Sequence, residues 1–161
     1  MLYRIKQFLW AIFKKKDQND IVFVQKYLNE KERELFYSLP EYEQVHSIRV
    51  ARDVLNKSLE EEKYDIMLIK AALLHDIGKI DGGLSVIKKS ILVIIDKGFH
   101  NFLCKHCNIK AINTYYNHPS IALRYLYDEN EYVKYLVSNH HNYNIKNDEK
   151  LLILQEADSE N

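Results

Sequence analysis

Ala72-Leu73-Leu74-His75-Asp76-Ile77-Gly78-Lys79 sets an apolar helix directly against a His-Asp pair and closes on a glycine. Ala and Leu favour helix. The spacing predicts a central helix from Tyr64 to Asp76, with Gly78 placed to end it. A histidine and an aspartate at the buried end of such a helix need partners, because a buried charge without one is costly. The chain offers further groups of the same kind: His46 before the pair, and His118, His140, His141 and Asp158 after it. All seven are types that bind metal ions.

Working outward, the pattern reads as helix almost throughout. One amphipathic helix runs from Leu2 to Lys15. Asp20 can cap a second, which carries Ile21, Val24 and Leu28 on one face. Glu30 to Tyr37 is a third, closed by Pro40. Glu41 to Leu59 is a fourth, with Val45, Ile48, Leu55 and Leu59 facing inward. Asp81-Gly82-Gly83 reads as a turn. Val86 to Asp96 is apolar enough for a strand, but its helical neighbours favour another helix ended by Gly98. Pro119 to Tyr127, Tyr132 to Asn139 and Asp148 to Ala157 complete the set, and the stretch from Asn101 to Tyr116 is the least defined. The expected fold class is all-α. Four glycines and two prolines in 161 residues leave too few tight turns for a β-sandwich.

Composition narrows the functional classes. A chain of 161 residues is expected to form a single domain, and 47% apolar content can fill a core. Lys+Arg and Asp+Glu are equal at 23 each, so there is no basic field for nucleic acid. Two cysteines, Cys104 and Cys107, make no disulfide framework, which points to a cytoplasmic protein. Residues 1–16 place Leu2, Ile5, Leu9, Trp10 and Phe13 along a helical stripe before Lys14-Lys15-Lys16. That segment lacks the order of a signal peptide and is too short and polar to span a bilayer. It suits a first helix docked on the core, or weak contact with a membrane surface.

Five imidazoles and two carboxylates exceed what one tetrahedral zinc can use. They suit one six-coordinate divalent ion with groups to spare, or two ions sharing Asp76. His75 and Asp76 point about 100° apart on an ideal helix and converge on one site only if the helix loosens there, which Gly78 permits. His118 precedes Pro119, so it is pushed from the α region and reads as the N-cap of the helix that Pro119 opens. The helix dipole there favours the neutral imidazole that a metal requires. Imidazole and carboxylate without thiolate suit Fe, Mn, Co, Ni or Zn.

The order H…HD…H…HH…D, with HDIGK at its centre, resembles the HD-domain metal-dependent phosphohydrolases over His46 to Asp158. The resemblance implies a single HD-domain helical bundle spanning residues 1–161, with N-terminal helices in 1–40 and the metal-binding core in 41–158. The plainest members show H…HD…D, here His46, His75, Asp76 and Asp158. The added His118 and His140-His141 are similar to the binuclear branches, which include cyclic di-GMP phosphodiesterases of the HD-GYP group and symmetrical diadenosine tetraphosphate hydrolases. Asn142-Tyr143-Asn144 stands after the doublet where the first branch has Gly-Tyr-Pro, and the second usually has a single histidine there. The resemblance therefore implies a metal site without choosing between these substrates.

It also implies an activity: hydrolysis of a phosphate ester or anhydride, in a nucleotide or other small phosphorylated substrate, with metal-activated hydroxide as nucleophile. Asp76 would be catalytic as the shared carboxylate, with Asp76 or Asp158 assisting proton transfer. Lys79 would bind substrate phosphate and stabilise developing charge. Arg49, one turn after His46, reads either as a second phosphate ligand or as an ion-pair partner of Asp53 or Glu43. Glu43 reads as a solvated surface charge, with an extra ion or water as the other reading. The competing functions are a di-iron oxygenase of the HD type and a non-catalytic HD sensor or interaction module. His100, Cys104, His106 and Cys107 crowd into eight residues without the second ligand pair a structural zinc wants, and read as half-buried side chains of an irregular helix. Tyr143, beside the doublet, could stack on a base.

Overall fold

The computed structural model describes residues 15–82 and 110–161. The expected helices over Leu2–Lys15 and Val86–Asp96, and the cluster from His100 to Cys107, lie wholly or almost wholly outside the described residues. Among the described residues every regular element is helical: α1 Gln18–Tyr27, α2 Glu30–Tyr37, α3 Glu41–Glu60, α4 Ile66–Leu74, a 3-10 helix Ile77–Gly82, α5 Lys110–Tyr125, α6 Glu131–Asn139 and α7 Glu149–Glu160. No helix among them is long and apolar enough to cross a membrane.

Local chemistry sets most of the starts. Asp17, not Asp20, caps α1: its side chain accepts from the Asp20 amide at 2.9 Å, and Asp20 reaches back to the Asp17 amide at 3.2 Å. The reciprocal box satisfies two amides at once and outcompetes a lone cap three residues later. Asn29 and Glu32 repeat the device at α2. Asp65, Asn130 and Asp148 cap α4, α6 and α7 through single bonds of 2.8–3.0 Å.

The central helix α4 is the axis of the core. Leu68, Ile69, Ala71, Ala72, Leu73 and Leu74 are all fully buried. Helices α1, α3, α6 and α7 pack around it, and one apolar cluster draws on all seven α-helices. Ile48 of α3 joins this core, Leu55 packs against it, and Val45 is buried. Leu59 does not: it is 55% exposed, because the last turn of α3 runs past the core edge.

Two differences from the expected boundaries bear on the site, and one contact accompanies both. α4 stops at Leu74 rather than Asp76, and α5 begins at Lys110, so His118 and Pro119 are interior to a helix rather than at its start. Proline inside a helix forfeits a hydrogen bond and crowds the preceding turn, so tertiary packing has overridden a local preference. That packing is the contact between α5 and the 3-10 helix, the most extensive between any two described elements. Gly78 lies at its centre. A Cβ there would meet the His118 carbonyl oxygen at 2.0 Å and the Ala122 nitrogen at 2.8 Å. Gly78 is required for backbone approach, not for a left-handed helix cap. The Gly78→Ala variant is therefore expected to lose about 3 kcal/mol or more in urea denaturation, since backbone atoms cannot rotate away. Wild-type stability in that variant would show that α5 is not held so closely.

Candidate metal centre

The end of α4 creates the site. His75 keeps helical backbone angles as the C-cap, and the chain then tightens into the 3-10 helix. This change of winding swings Asp76 back beside His75: its Oδ2 lies 3.4 Å from His75 Nε2. α3 contributes His46, whose Nε2 lies 3.8 Å from the same Asp76 oxygen. α7 contributes Asp158, whose Oδ1 is 3.1 Å from His46 Nε2 and 3.4 Å from His75 Nε2. His46, His75, Asp76 and Asp158 thus converge, although they span most of the chain.

The other Asp76 oxygen faces elsewhere. Oδ1 lies 3.3 Å from His118 Nε2 on α5. His118 Nε2 in turn is 3.3 Å from His140 Nε2, at the end of α6. The His141 ring packs 4.1 Å from that of His140 and 5.1 Å from that of His118, centroid to centroid. His141 Nδ1 sits 3.8 Å from Asp158 Oδ2, and its side chain is the most exposed of the set at 43%. Ligand atoms of His46, His75 and Asp76, of His75, His140 and Asp158, and of His118, His140 and His141 each gather closely enough to hold one ion.

Two imidazoles are oriented by the backbone. His75 Nδ1 bonds to the Ala72 carbonyl at 2.8 Å and His140 Nδ1 to the Val137 carbonyl at 2.6 Å. A carbonyl only accepts, so each Nδ1 carries the hydrogen and each Nε2 is turned into the cluster. This is the arrangement that fixes the tautomer of metal-binding histidine. His75 Nε2 and Asp76 Oδ1 are nevertheless buried without a hydrogen bond of acceptable geometry. Orphaned buried polar atoms are rare and need a reason. A divalent cation supplies it, so the donor set fits a metal.

The electrostatics agree. Burial would raise the carboxyl pKa of Asp76, but His75, Lys79 and His118 outweigh it and hold it well below the usual range. Asp158 is likewise depressed against its burial, by the charge of His75 and by the hydrogen bond with His46. Burial lowers His75, yet Asp76 and Asp158 overcome it and raise the imidazole to about 9. Burial, with His75, His141 and His118 nearby, pushes His140 well down. Burial and His118 bring His141 to about 4. Two ionised carboxylates therefore lie in a cluster where His140 and His141 stay neutral, and a cation would replace the proton on His75.

The two cations singled out in the sequence behave differently. Lys79 donates to Asp76 Oδ2 and its Nζ lies 3.6 Å from Glu43 Oε2. Glu43 is not a solvated charge: it is 2% exposed. Arg49 is half-buried and forms no ion pair with a described residue. Its expected partners are engaged otherwise, Asp53 with Asn161 Nδ2 at 2.7 Å and Glu43 with Lys79. Tyr143 is half-exposed, its ring 6.5 Å from that of His141.

Two contributors, Tyr42 and Gln155, escape sequence reasoning, and a third, Glu43, reads there as a surface charge. Tyr42 and Glu43 sit one turn before His46 and look inward with it. Gln155, one turn before Asp158, is buried, and its Nε2 donates to the carbonyls of Asn139 at 3.2 Å and Asn142 at 3.1 Å. It ties α7 to the turn carrying His140 and His141. Helical spacing from a known ligand was the available signal in each case.

The family model of the HD domain matches residues 44–160. No curated protein and no solved structure matches the chain. The matched span holds all seven converging residues and both tethers of Gln155. Gln155→Leu is expected to destabilise the metal-free protein by about 1 kcal/mol, because it removes both amide tethers while the Asn139 and Asn142 carbonyls keep their bonds from the Asn142 and Ile145 amides. Urea denaturation reads this directly, and a change within error of zero would mean that water replaces the amide.

Proposed function

Because the chain belongs to the HD-domain family, we propose that it is a metal-dependent phosphohydrolase acting on a nucleotide or similarly small phosphate ester or anhydride, with two divalent transition-metal ions. The observation that carries this reading is the division of Asp76: one oxygen faces His46 and His75, the other faces His118. A carboxylate so divided suits a bridge between two ions, which such sites hold about 3.5–4 Å apart. His46, His75, Asp76 and Asp158 would hold the first. His118, His140 and His141 would hold the second, with Asp76 between. Imidazole and carboxylate without thiolate suit Fe, Mn, Co, Ni or Zn.

When bound, such ions supply Lewis-acid charge and bring water towards ionisation near neutral pH. The rest falls to the chain. His75 and His140, fixed through Nδ1, present Nε2 with little reorganisation. Lys79, carried on the 3-10 helix beside Asp76, offers an ammonium to a phosphate oxygen, where fixed positive charge counts most as negative charge develops. Arg49 offers a guanidinium one turn beyond His46, suited to a second phosphate oxygen. Asp158 Oδ2, facing the partly exposed His141, can accept a hydrogen bond from water on the solvent side. The apolar wall of α4 keeps bulk water from the inner side.

Metal analysis of anaerobically prepared protein, paired with phosphate release from a panel of nucleotides and dinucleotides, tests the reading. Wild type should carry two equivalents and hydrolyse at least one class of substrate. His118→Ala should fall to one equivalent and lose about 100-fold or more in turnover. Oxygen consumption without phosphate release would contradict the reading. Lys79→Ala should keep its metal while turnover falls about 100-fold; turnover equal to wild type would remove Lys79 from the site. Asp158→Ala should lose metal and activity, whereas deletion of Ser159 to Asn161 should leave both largely intact. Full metal content in Asp158→Ala would exclude it as a ligand.

A further inference from the structure

Lys79 occupies the space that the proposed first ion needs. Its ammonium donates to Asp76 Oδ2, the oxygen that faces His46 and His75. Metal–oxygen bonds are about 2 Å long. An ammonium kept within hydrogen-bond distance of the same oxygen would stand only a few ångströms from a doubly charged ion, with little water between to screen the repulsion. The side chain is only 16% exposed, so solvent offers little refuge.

A second carboxylate is within reach. Glu43 Oε2 lies 3.6 Å from Lys79 Nζ, on the helix that carries His46. Glu43 is itself almost fully buried, and burial together with the Glu43 charge pushes the neighbouring Tyr42 phenol up. An ionised carboxylate so deep in the protein needs a nearby cation. Tyr42 feels Glu43, Lys79 and Asp76 together, so these four side chains form one connected group beside the ligands.

We infer that Glu43 is a positioning residue that receives the Lys79 ammonium when a metal ion takes Asp76. Lys79 in the metal-free protein is an internal cation standing in for the ion. Binding exchanges one cation for another on Asp76, and Glu43 makes the exchange affordable by keeping the displaced ammonium paired. The same shift moves Lys79 off Asp76 yet keeps it beside the site, where a phosphate would meet it. This rests on the proposed metal site and adds to it a competition between Lys79 and the metal.

The test is calorimetric titration of Mn2+ and of Zn2+ into metal-free full-length protein, independent of any substrate. Lys79→Met should bind metal roughly tenfold more tightly than wild type, because the competing charge is gone. Glu43→Gln should bind roughly tenfold more weakly, because the displaced ammonium then loses the Glu43 charge. In the Lys79→Met background the Glu43→Gln change should have no effect on affinity, and that coupling is the signature. An equal loss from Glu43→Gln with and without Lys79 would overturn the inference while leaving the metal site standing. Absence of metal binding by wild type would overturn both. Should Glu43→Gln fail to fold, Lys79→Met decides alone: affinity equal to or weaker than wild type shows that the ammonium does not compete.

Discussion

Asp76 is an ionised carboxylate with almost no contact with water, and the rest of the site is arranged around that fact. A charge so buried survives only when its neighbours compensate it. Here the compensation is shared among His75 on its own helix end, His46 from α3, His118 from α5 and Lys79 from the 3-10 helix. His75 and Lys79 are brought to it by the local winding, whereas His46 and His118 each require their helix to be packed at the right depth, so the charge and the fold depend on each other. Removing the charge would leave imidazoles crowded without purpose, and loosening the fold would leave the charge unpaired.

The scaffold achieves this depth with simple means. α4 is apolar but for Lys70, and the burial of its second half carries its polar end into the interior. The change from α to 3-10 winding after Leu74 turns two successive side chains to one point. Gly78 lets the backbone of α5 approach until the His118 carbonyl touches it, and this approach sets the distance between His118 and Asp76. The same contact holds Pro119 inside a helix, against its preference. Gln155 fixes the His140–His141 turn from the other side. Precision near the ligands thus comes from a glycine and an amide that touch no ligand atom.

The sequence carried the all-α class, most helix positions and the identity of the converging groups, because apolar periodicity and metal-binding residue types are local signals. It placed Glu30–Tyr37 within its observed bounds for that reason. It misled wherever a contact between distant segments decided the outcome. Pro119 reads as a helix start, and only the pressure of Gly78 shows why it is not. Glu43 reads as a surface charge, since nothing nearby in sequence reveals that Lys79 lies against it. Leu59 reads as core, but α3 outruns the apolar surface it packs on. Asp20 lost the capping role to Asp17, a choice between two similar local signals rather than a failure of the rule.

The central claim is that Asp76 lies between two ions. A crystal structure of anaerobically prepared protein, with anomalous diffraction recorded at the absorption edge of its bound metal, tests it most directly. The account predicts two anomalous peaks about 3.5–4 Å apart, one beside His46, His75 and Asp158 and the other beside His118 and His140, with one Asp76 oxygen on each. A single peak bound by both oxygens of Asp76, or none within reach of that carboxylate, would contradict it.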